Sequence, residues 1–381
     1  MTIDRRPRVL MLAVGMGTGG AEALIRDSLP RLKEEGFDLS LWVLKEGGEE
    51  LESIRRGGHA VRALAEPGSP RTAPLLRLLR EIRAERFDLI HSHLFWANLA
   101  ARAAGRWGAV PVVINSHHGF DGWLSLSHRL LEKSTFGFAD RLVACSEAVR
   151  RAAVEHLRLP AEKVLAIPNG IPVERFADRS QRAAARAELG VGSEACVVGS
   201  VGRLDEPVKG YAVLLEAMEQ VCARCSEVVC LLCGDGPARA TLERMARTRG
   251  LATKVRFLGE RKDVPRLLQA MDLYVQPSRM EGFGLSVLEA MASALPVVAT
   301  TTGGLPEVAL DGVTADLVPP GDAPALARRI EALTRDPGRR AAYGKAGEAR
   351  ARGEFPLARM VAAWAALYRG RLLARSREAA A

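Results

Sequence analysis

Short apolar runs alternate along the chain with stretches in which apolar residues recur every three or four positions. VLMLAV is followed by AEALIRDSLPRLKEEG and then FDLSLWVL; TAPLLRLLREIRAERF is followed by DLIHSHL. The runs CVVGSV, VVCLLC, VRFLG, DLYVQ, Pro296–Ala299 and ADLV repeat the same rhythm further on. Continuous apolar runs predict strands buried on both faces, and the 3.6-residue period predicts helices with one buried stripe. Strictly alternating strands and helices predict an α/β protein of parallel sheets covered by helices. In the helix over 72–87, Leu75, Leu79 and Ile82 mark the expected buried stripe. The polar, alanine-rich stretch SQRAAARAELGVGSEA predicts a connection between two such units, over 1–175 and 190–352, with a helical segment over 353–381.

Composition narrows the class. A chain of 381 residues suits two domains, each large enough for its own core. With 48% hydrophobic residues and a mean hydropathy of zero, the composition is that of a soluble protein. No apolar run approaches the ~18–20 residues that a membrane span needs. The first apolar run reads as a strand rather than a signal peptide, so the expected location is the cytoplasm. The net charge is +9, with arginines spread through both halves, in no basic run or aromatic-interleaved patch that would indicate nucleic acid. Such a balance suits anionic substrates and the anionic face of a membrane. Cys222-x-x-Cys225 and Cys230-x-x-Cys233 have the look of a zinc site. The second pair, however, lies in a strand-like run and the first at a helix end, where small buried hydrophobes are expected.

Several residues carry candidate chemistry. Gly15-x-Gly17-x-x-Gly20 follows the first strand and fits a dinucleotide-binding turn, with at least one glycine expected at positive φ. An acidic partner for a ribose is not clean in Lys45-Glu46. His91, His93, His117 and His118 fall at strand ends, where open α/β sheets place ligands; no carboxylate set near them completes a metal site. The segment Trp123–Lys133, with Leu124, Leu126, His128 and Arg129, fits either an amphipathic acceptor- or membrane-facing surface or ordinary helix core.

The most informative stretch is SRMEGFGLSVLEAMASALPVVATTTGGLPEV, Ser278–Val308. The amides of Phe283, Gly284 and Leu285 would be free donors at a helix N-terminus, where the dipole favours an anion. Glu289 leans back toward that turn, and Glu281 precedes it. A phosphate flanked by two hydroxyl-binding carboxylates suggests a nucleotide-sugar.

This stretch resembles the Glu-x7-Glu motif of retaining glycosyltransferases of family 4, the GT-B or group 1 type, and the resemblance covers nearly the whole chain. It implies two Rossmann-like domains facing across a cleft, with the C-terminal helix crossing back to the first. It implies that the GGAE loop, with Gly19 and Gly20, approaches donor diphosphate and acceptor, and that His118 contacts the sugar near the reaction centre. Arg203 and Lys209 resemble the family's phosphate clamp, which needs no metal ion or other cofactor. Glu281 would orient sugar hydroxyls and Glu289 would accept from the ribose. The implied donor is a UDP- or GDP-sugar, and the implied acceptor a lipid-linked or glycan hydroxyl in cell-envelope polysaccharide or glycolipid synthesis. An NAD-linked oxidoreductase would leave Glu281, Glu289, Arg203 and Lys209 unused. A catalytically silent binding protein on the same fold would be expected to carry a disabling residue, and none stands at these positions.

Overall fold

A computed structural model describes residues 5–17, 19–70, 72–108, 110–119 and 125–380; Trp123 and Leu124 lie outside them. The chain forms two compact units. One runs to Gly170 and takes back the chain from Leu357; the other is the continuous segment Ile171–Pro356.

The first unit contains seven strands: β1 (Arg8–Ala13), β2 (Asp38–Val43), β3 (Ala60–Ala63), β4 (Leu89–His93), β5 (Val112–His117), β6 (Arg141–Ala144) and β7 (Val164–Ala166). They lie in the order β3-β2-β1-β4-β5-β6-β7, paired in parallel. The second contains β8 (Cys196–Val201), β9 (Val228–Cys233), β10 (Val255–Gly259), β11 (Leu273–Gln276), β12 (Val297–Thr300) and β13 (Ala315–Val318). Their order is β10-β9-β8-β11-β12-β13, again parallel. The apolar runs of the inner strands are almost wholly buried, as sheets covered on both faces require, while the edge strands β3 and β10 are mostly half-buried. In each sheet the order reverses beside the first strand, between β1 and β4 and between β8 and β11. Open α/β sheets bind ligands at the carboxyl ends of the strands at such a reversal.

The C-terminal helix Leu357–Ala380 belongs to the first unit. Met360, Val361, Trp364, Ala365, Tyr368 and Leu372 recur at helical spacing and join the core that contains Val9, Met11, Leu89 and Ile114.

Four details differ from the sequence reading. Helix Ala73–Glu85 buries Leu78 and Ile82, while Leu75 is exposed, so the stripe is rotated from the expected one. The stretch read as a connection contains helix Arg182–Glu188, fixed within the second unit by Arg182 and Arg186 on Asp272 at 2.6 and 3.1 Å. Its alanines gave no strong stripe, and these ion pairs span about 90 residues of sequence. A further helix, Pro337–Glu354, for which the sequence reading named no element, follows helix Ala323–Arg335. None of Gly15, Gly17, Gly19 and Gly20 has positive φ, contrary to the expectation for this turn. The cysteines are free thiols: Cys230 and Cys233 are buried on β9, and Cys222 and Cys225 are half-buried against the same core.

Candidate active site

In the second unit the polar groups gather where β8 and β11 end. Arg203 follows β8 and is exposed, and Lys209 closes the short helix Glu206–Lys209. Gly210 then turns with φ +66°, and a Cβ there would strike the carbonyl of Pro277. The loop after β11 is tied to that helix, since Arg279 N donates to Val208 O at 2.8 Å and Met280 N to the same oxygen at 3.1 Å. These ties bring together two residues far apart in sequence: Lys209 Nζ donates to Glu281 Oε2 at 2.7 Å.

Glu281 is the end of a buried hydrogen-bond chain. Val201 N–H donates to the Tyr274 hydroxyl at 3.2 Å, and that hydroxyl donates to Gln276 Oε1 at 2.9 Å. Ser286 Oγ donates to the same Oε1 at 3.2 Å, which leaves the Gln276 amide nitrogen pointing the other way as donor. It donates to Ser278 Oγ at 2.8 Å and to Glu281 Oε2 at 3.3 Å, and Ser278 Oγ donates to Glu281 Oε2 at 3.1 Å. Three donors therefore converge on one carboxylate oxygen. The other, Oε1, has no partner among the described residues. Glu281 is thus held rigidly with one acceptor oxygen available.

Gly284 precedes helix Leu285–Ala292 with φ +97°, and a Cβ there would lie 2.6 Å from Leu305 Cδ2, so the turn requires glycine twice over. Among the described residues the amides of Phe283, Gly284 and Leu285 have no acceptor. The Phe283 ring is buried edge-on against Phe355, with centroids 5.6 Å apart, so this residue offers its backbone rather than its side chain. Glu289 stands half-buried on the same helix. Unpaired amides at a helix start, two cations and a fixed carboxylate can hold an anionic group beside hydroxyls.

In the first unit β4 and β5 end in a row of histidines. His91 is fully engaged: Nδ1 meets the Tyr368 hydroxyl at 2.6 Å and Nε2 meets Ser116 Oγ at 2.7 Å. His93 Nδ1 lies 2.8 Å from His118 Nε2, with the rings stacked 5.1 Å apart. The Trp364 ring packs edge-on to His91 at 4.8 Å. Burial, with a smaller push from neighbouring histidines, lowers His91 to about 3, His118 to about 4, and His93 well below the ordinary range. All three are neutral at pH 7. Gly19 caps helix Gly20–Glu34 in extended conformation, and the Glu22 side chain fills the space a Cβ on Gly19 would need.

One carboxylate stands near the histidines, but it completes no metal site with them. Glu132, on helix Leu126–Thr135, lies 3.5 Å from His117 Nε2. It is committed to Arg102, whose guanidinium grips both carboxylate oxygens at 2.9 and 2.5 Å and also reaches Asn115 Oδ1 at 2.8 Å. Burial pushes the Glu132 carboxyl up, but the His117 hydrogen bond and the Arg102 charge outweigh it and hold it at about 2. The same helix turns its apolar residues outward: Leu126 is 74%, Leu130 59% and Leu131 41% exposed. Its buried residue is Glu132, so the core reading fails for these leucines. Among the described residues no group of three or more His, Cys, Asp or Glu could hold a metal ion, and no helix is long and apolar enough to cross a membrane.

Two doubly wound units, one with a helix-start anion cradle beside a fixed carboxylate, define an α/β protein of the nucleotide-handling kind. Residues 181–350 match the family described as glycosyl transferases group 1, and residues 18–175 match glycosyltransferase family 4. EpsF of Bacillus subtilis, a glycosyltransferase by provisional assignment, is 30% identical over 304 residues, covering 76% of this chain and 78% of its own. The D-inositol 3-phosphate glycosyltransferase of Corynebacterium kroppenstedtii is 37% identical over 285 residues, covering 68% of this chain and 62% of its own. HepE of Anabaena, solved with UDP and glucose, superposes with a TM-score of 0.86 at 24% identity, over 96% of this chain and all of its own. The chain belongs to the group 1, family 4 glycosyltransferases.

Proposed function

We propose that this glycosyltransferase moves a sugar from a UDP- or GDP-sugar to a hydroxyl of an amphiphilic, lipid-linked or glycan acceptor, with retention and without a metal ion. The carrying observation is the chain ending at Glu281, with Lys209 paired to it and three unpaired amides at the adjoining helix start. Arg203, Lys209 and the Phe283–Leu285 amides hold the diphosphate, and each such fixed donor contributes about 3–4 kcal/mol as charge develops on the leaving group. Glu281 accepts from sugar hydroxyls through Oε1, and Glu289 accepts from the ribose. The family resemblance gives His118, a neutral group here, the role of contacting the transferred sugar, and gives Gly19 and Gly20 a role toward the diphosphate. The donor phosphate takes the acceptor's proton as the hydroxyl adds to the face from which the diphosphate leaves. The UDP bound by HepE, a protein of the same fold, favours a UDP-sugar.

The test is a UDP- and GDP-sugar panel, assayed for diphosphate release with a membrane-lipid extract and, separately, with a soluble inositol phosphate as acceptor. Release with lipid extract, a product of unchanged anomeric configuration and full activity in EDTA are expected. Inversion, or loss in EDTA restored by Mg²⁺ or Mn²⁺, rules out the mechanism; release with the soluble acceptor alone rules out the lipid.

The outward leucines of helix Leu126–Thr135 favour work at the cytoplasmic face of a membrane. Leu126 and Leu130 share a face with the exposed cations Arg129 and Lys133. Each such cation adds about 1 kcal/mol of attraction to an anionic leaflet. The protein should sediment with vesicles of about one-third anionic lipid at low salt and be released at high salt. Equal sedimentation with neutral vesicles, or none with either, removes the membrane from the proposal.

A further inference from the structure

Helix Pro337–Glu354 packs closely on the end of helix Leu285–Ala292: a Cβ on Gly344 would strike the carbonyl of Ala294, and one on Gly347 would stand 3.4 Å from Met291 Cγ. About a turn further on, Arg350 reaches the short helix Leu305–Val308. Its Nε donates to Val308 O at 2.9 Å, its Nη2 to Glu307 O at 2.8 Å and its Nη1 to Glu354 Oε1 at 2.7 Å. The last carbonyls of a helix have no partner within it, and a single turn of helix is not stable by itself. A guanidinium that satisfies two of those carbonyls at once fixes the place of Leu305–Val308.

That short helix bears on two residues of the site. Gly304 N, at its start, donates to Glu281 O at 3.1 Å. The Leu305 side chain fills the space that a Cβ on Gly284 would need. A second route runs through rings. The Arg350 guanidinium lies over the Phe355 ring, 5.3 Å from its centre, and Phe355 meets the buried Phe283 ring edge-on. One arginine, its side chain 16% exposed, thus holds the supports of Glu281, Phe283 and Gly284, while none of its hydrogen bonds goes to the cradle itself.

We infer that Arg350 is a positioning residue: by holding Glu307 O, Val308 O and the Phe355 ring, it sets the place of the Phe283–Leu285 amides and of Glu281. The inference rests on the reading of those amides as the holders of the diphosphate. Donors aimed at an anion contribute fully only when the surrounding shell keeps them in place. Arg340, on the same helix, provides an internal comparison. It too satisfies a helix end, donating from Nη1 to Leu333 O and Thr334 O at 2.6 and 2.7 Å. Arg340, however, shares a cavity with Cys196 and Val228, the first residues of β8 and β9, at the opposite edge of the sheet from the cradle.

The experiment compares Arg350→Met with Arg340→Met, by calorimetry with UDP and with GDP and by amide hydrogen exchange. Arg350→Met should weaken binding of the nucleotide that the wild type takes by roughly tenfold, and speed exchange over 303–309 by about tenfold. Arg340→Met should lower the melting temperature as well, yet leave nucleotide affinity within about twofold of wild type. Arg350→Lys keeps the charge but cannot fork between two carbonyls, and should fall between wild type and Arg350→Met. Unchanged affinity or unchanged exchange in Arg350→Met, or an equal loss of affinity in Arg340→Met, overturns the proposal. Should Arg350→Met fail to fold, Arg350→Lys decides by the same two readings, and wild-type values overturn it. Exchange is read without nucleotide, so a wrong reading of the cradle shows separately, as a wild type that binds neither UDP nor GDP.

Discussion

Glu281→Gln should lower turnover about a hundredfold or more while leaving the melting temperature within a few degrees of wild type. Lys209, Ser278 and Gln276 all present hydrogens to the position of Oε2. A glutamine must place its amide oxygen there, which turns its NH₂ into the place of Oε1. A site that accepted from a sugar hydroxyl then donates instead. The substitution also leaves the Lys209 ammonium without its neutralising partner, in a place where the donor diphosphate is the remaining anion. Donor KM should therefore rise little while kcat falls. Lys209→Ala should also cut turnover about a hundredfold, and with a higher donor KM, because it loses a phosphate contact as well as the Glu281 tether. Steady-state kinetics of the two single variants and the double variant measure their coupling. Turnover within a few-fold of wild type in Glu281→Gln would remove Glu281 from the site.

Arg102→Ala should destabilise the first unit by about 3–5 kcal/mol, because it strands Glu132 in a site with no exposure. The sign with pH is fixed. The Glu132 carboxyl sits at about 2 in the folded protein, below its ordinary value near 4.5, so the pair's stabilisation is complete above that value and is lost as pH falls toward 2. The gap between wild type and variant should accordingly narrow in acid. His91, His93 and His118 also cost stability as pH drops below about 6.5, but they are common to both proteins and cancel in the difference. All five tryptophans fall in the stretches assigned to the first unit, so tryptophan fluorescence in urea reports on it. A difference below about 1 kcal/mol at pH 7 would mean that Arg102 and Glu132 do not form the buried pair.

The α/β class, most strands and the helix-start cradle were legible because each is written in local sequence: an apolar run, a helical period, a glycine beside a helix start. What was not legible depends on partners far along the chain. Gln276 and Ser278 sit in what reads as an apolar strand and its turn, and a polar residue buried there signals a network but does not name its far end. The Lys209–Glu281 pair spans 72 residues and the His91–Tyr368 bond 277. No periodicity encodes either. Helix Leu126–Thr135 stayed open between surface and core for a different reason: its buried position is a glutamate, so a hydrophobicity pattern does not tell which face is covered. Glu132 is identifiable only through Arg102, which a helical pattern places on an ordinary polar face.

The return of Leu357–Ala380 to the first unit has a consequence for synthesis. A chain made from its N-terminus delivers Val9, Met11 and His91 early, yet Trp364 and Tyr368, which cover them, are translated only after the whole of Ile171–Pro356. The middle segment is continuous and can close its core as soon as it leaves the ribosome. The earlier-made domain must wait with an apolar surface uncovered while about 190 further residues are added, at roughly 5–20 residues per second. The order of maturation is therefore the reverse of the order of translation. Its last step is the docking of one helix, which closes the longest loop in the protein and completes the packing beneath the histidines.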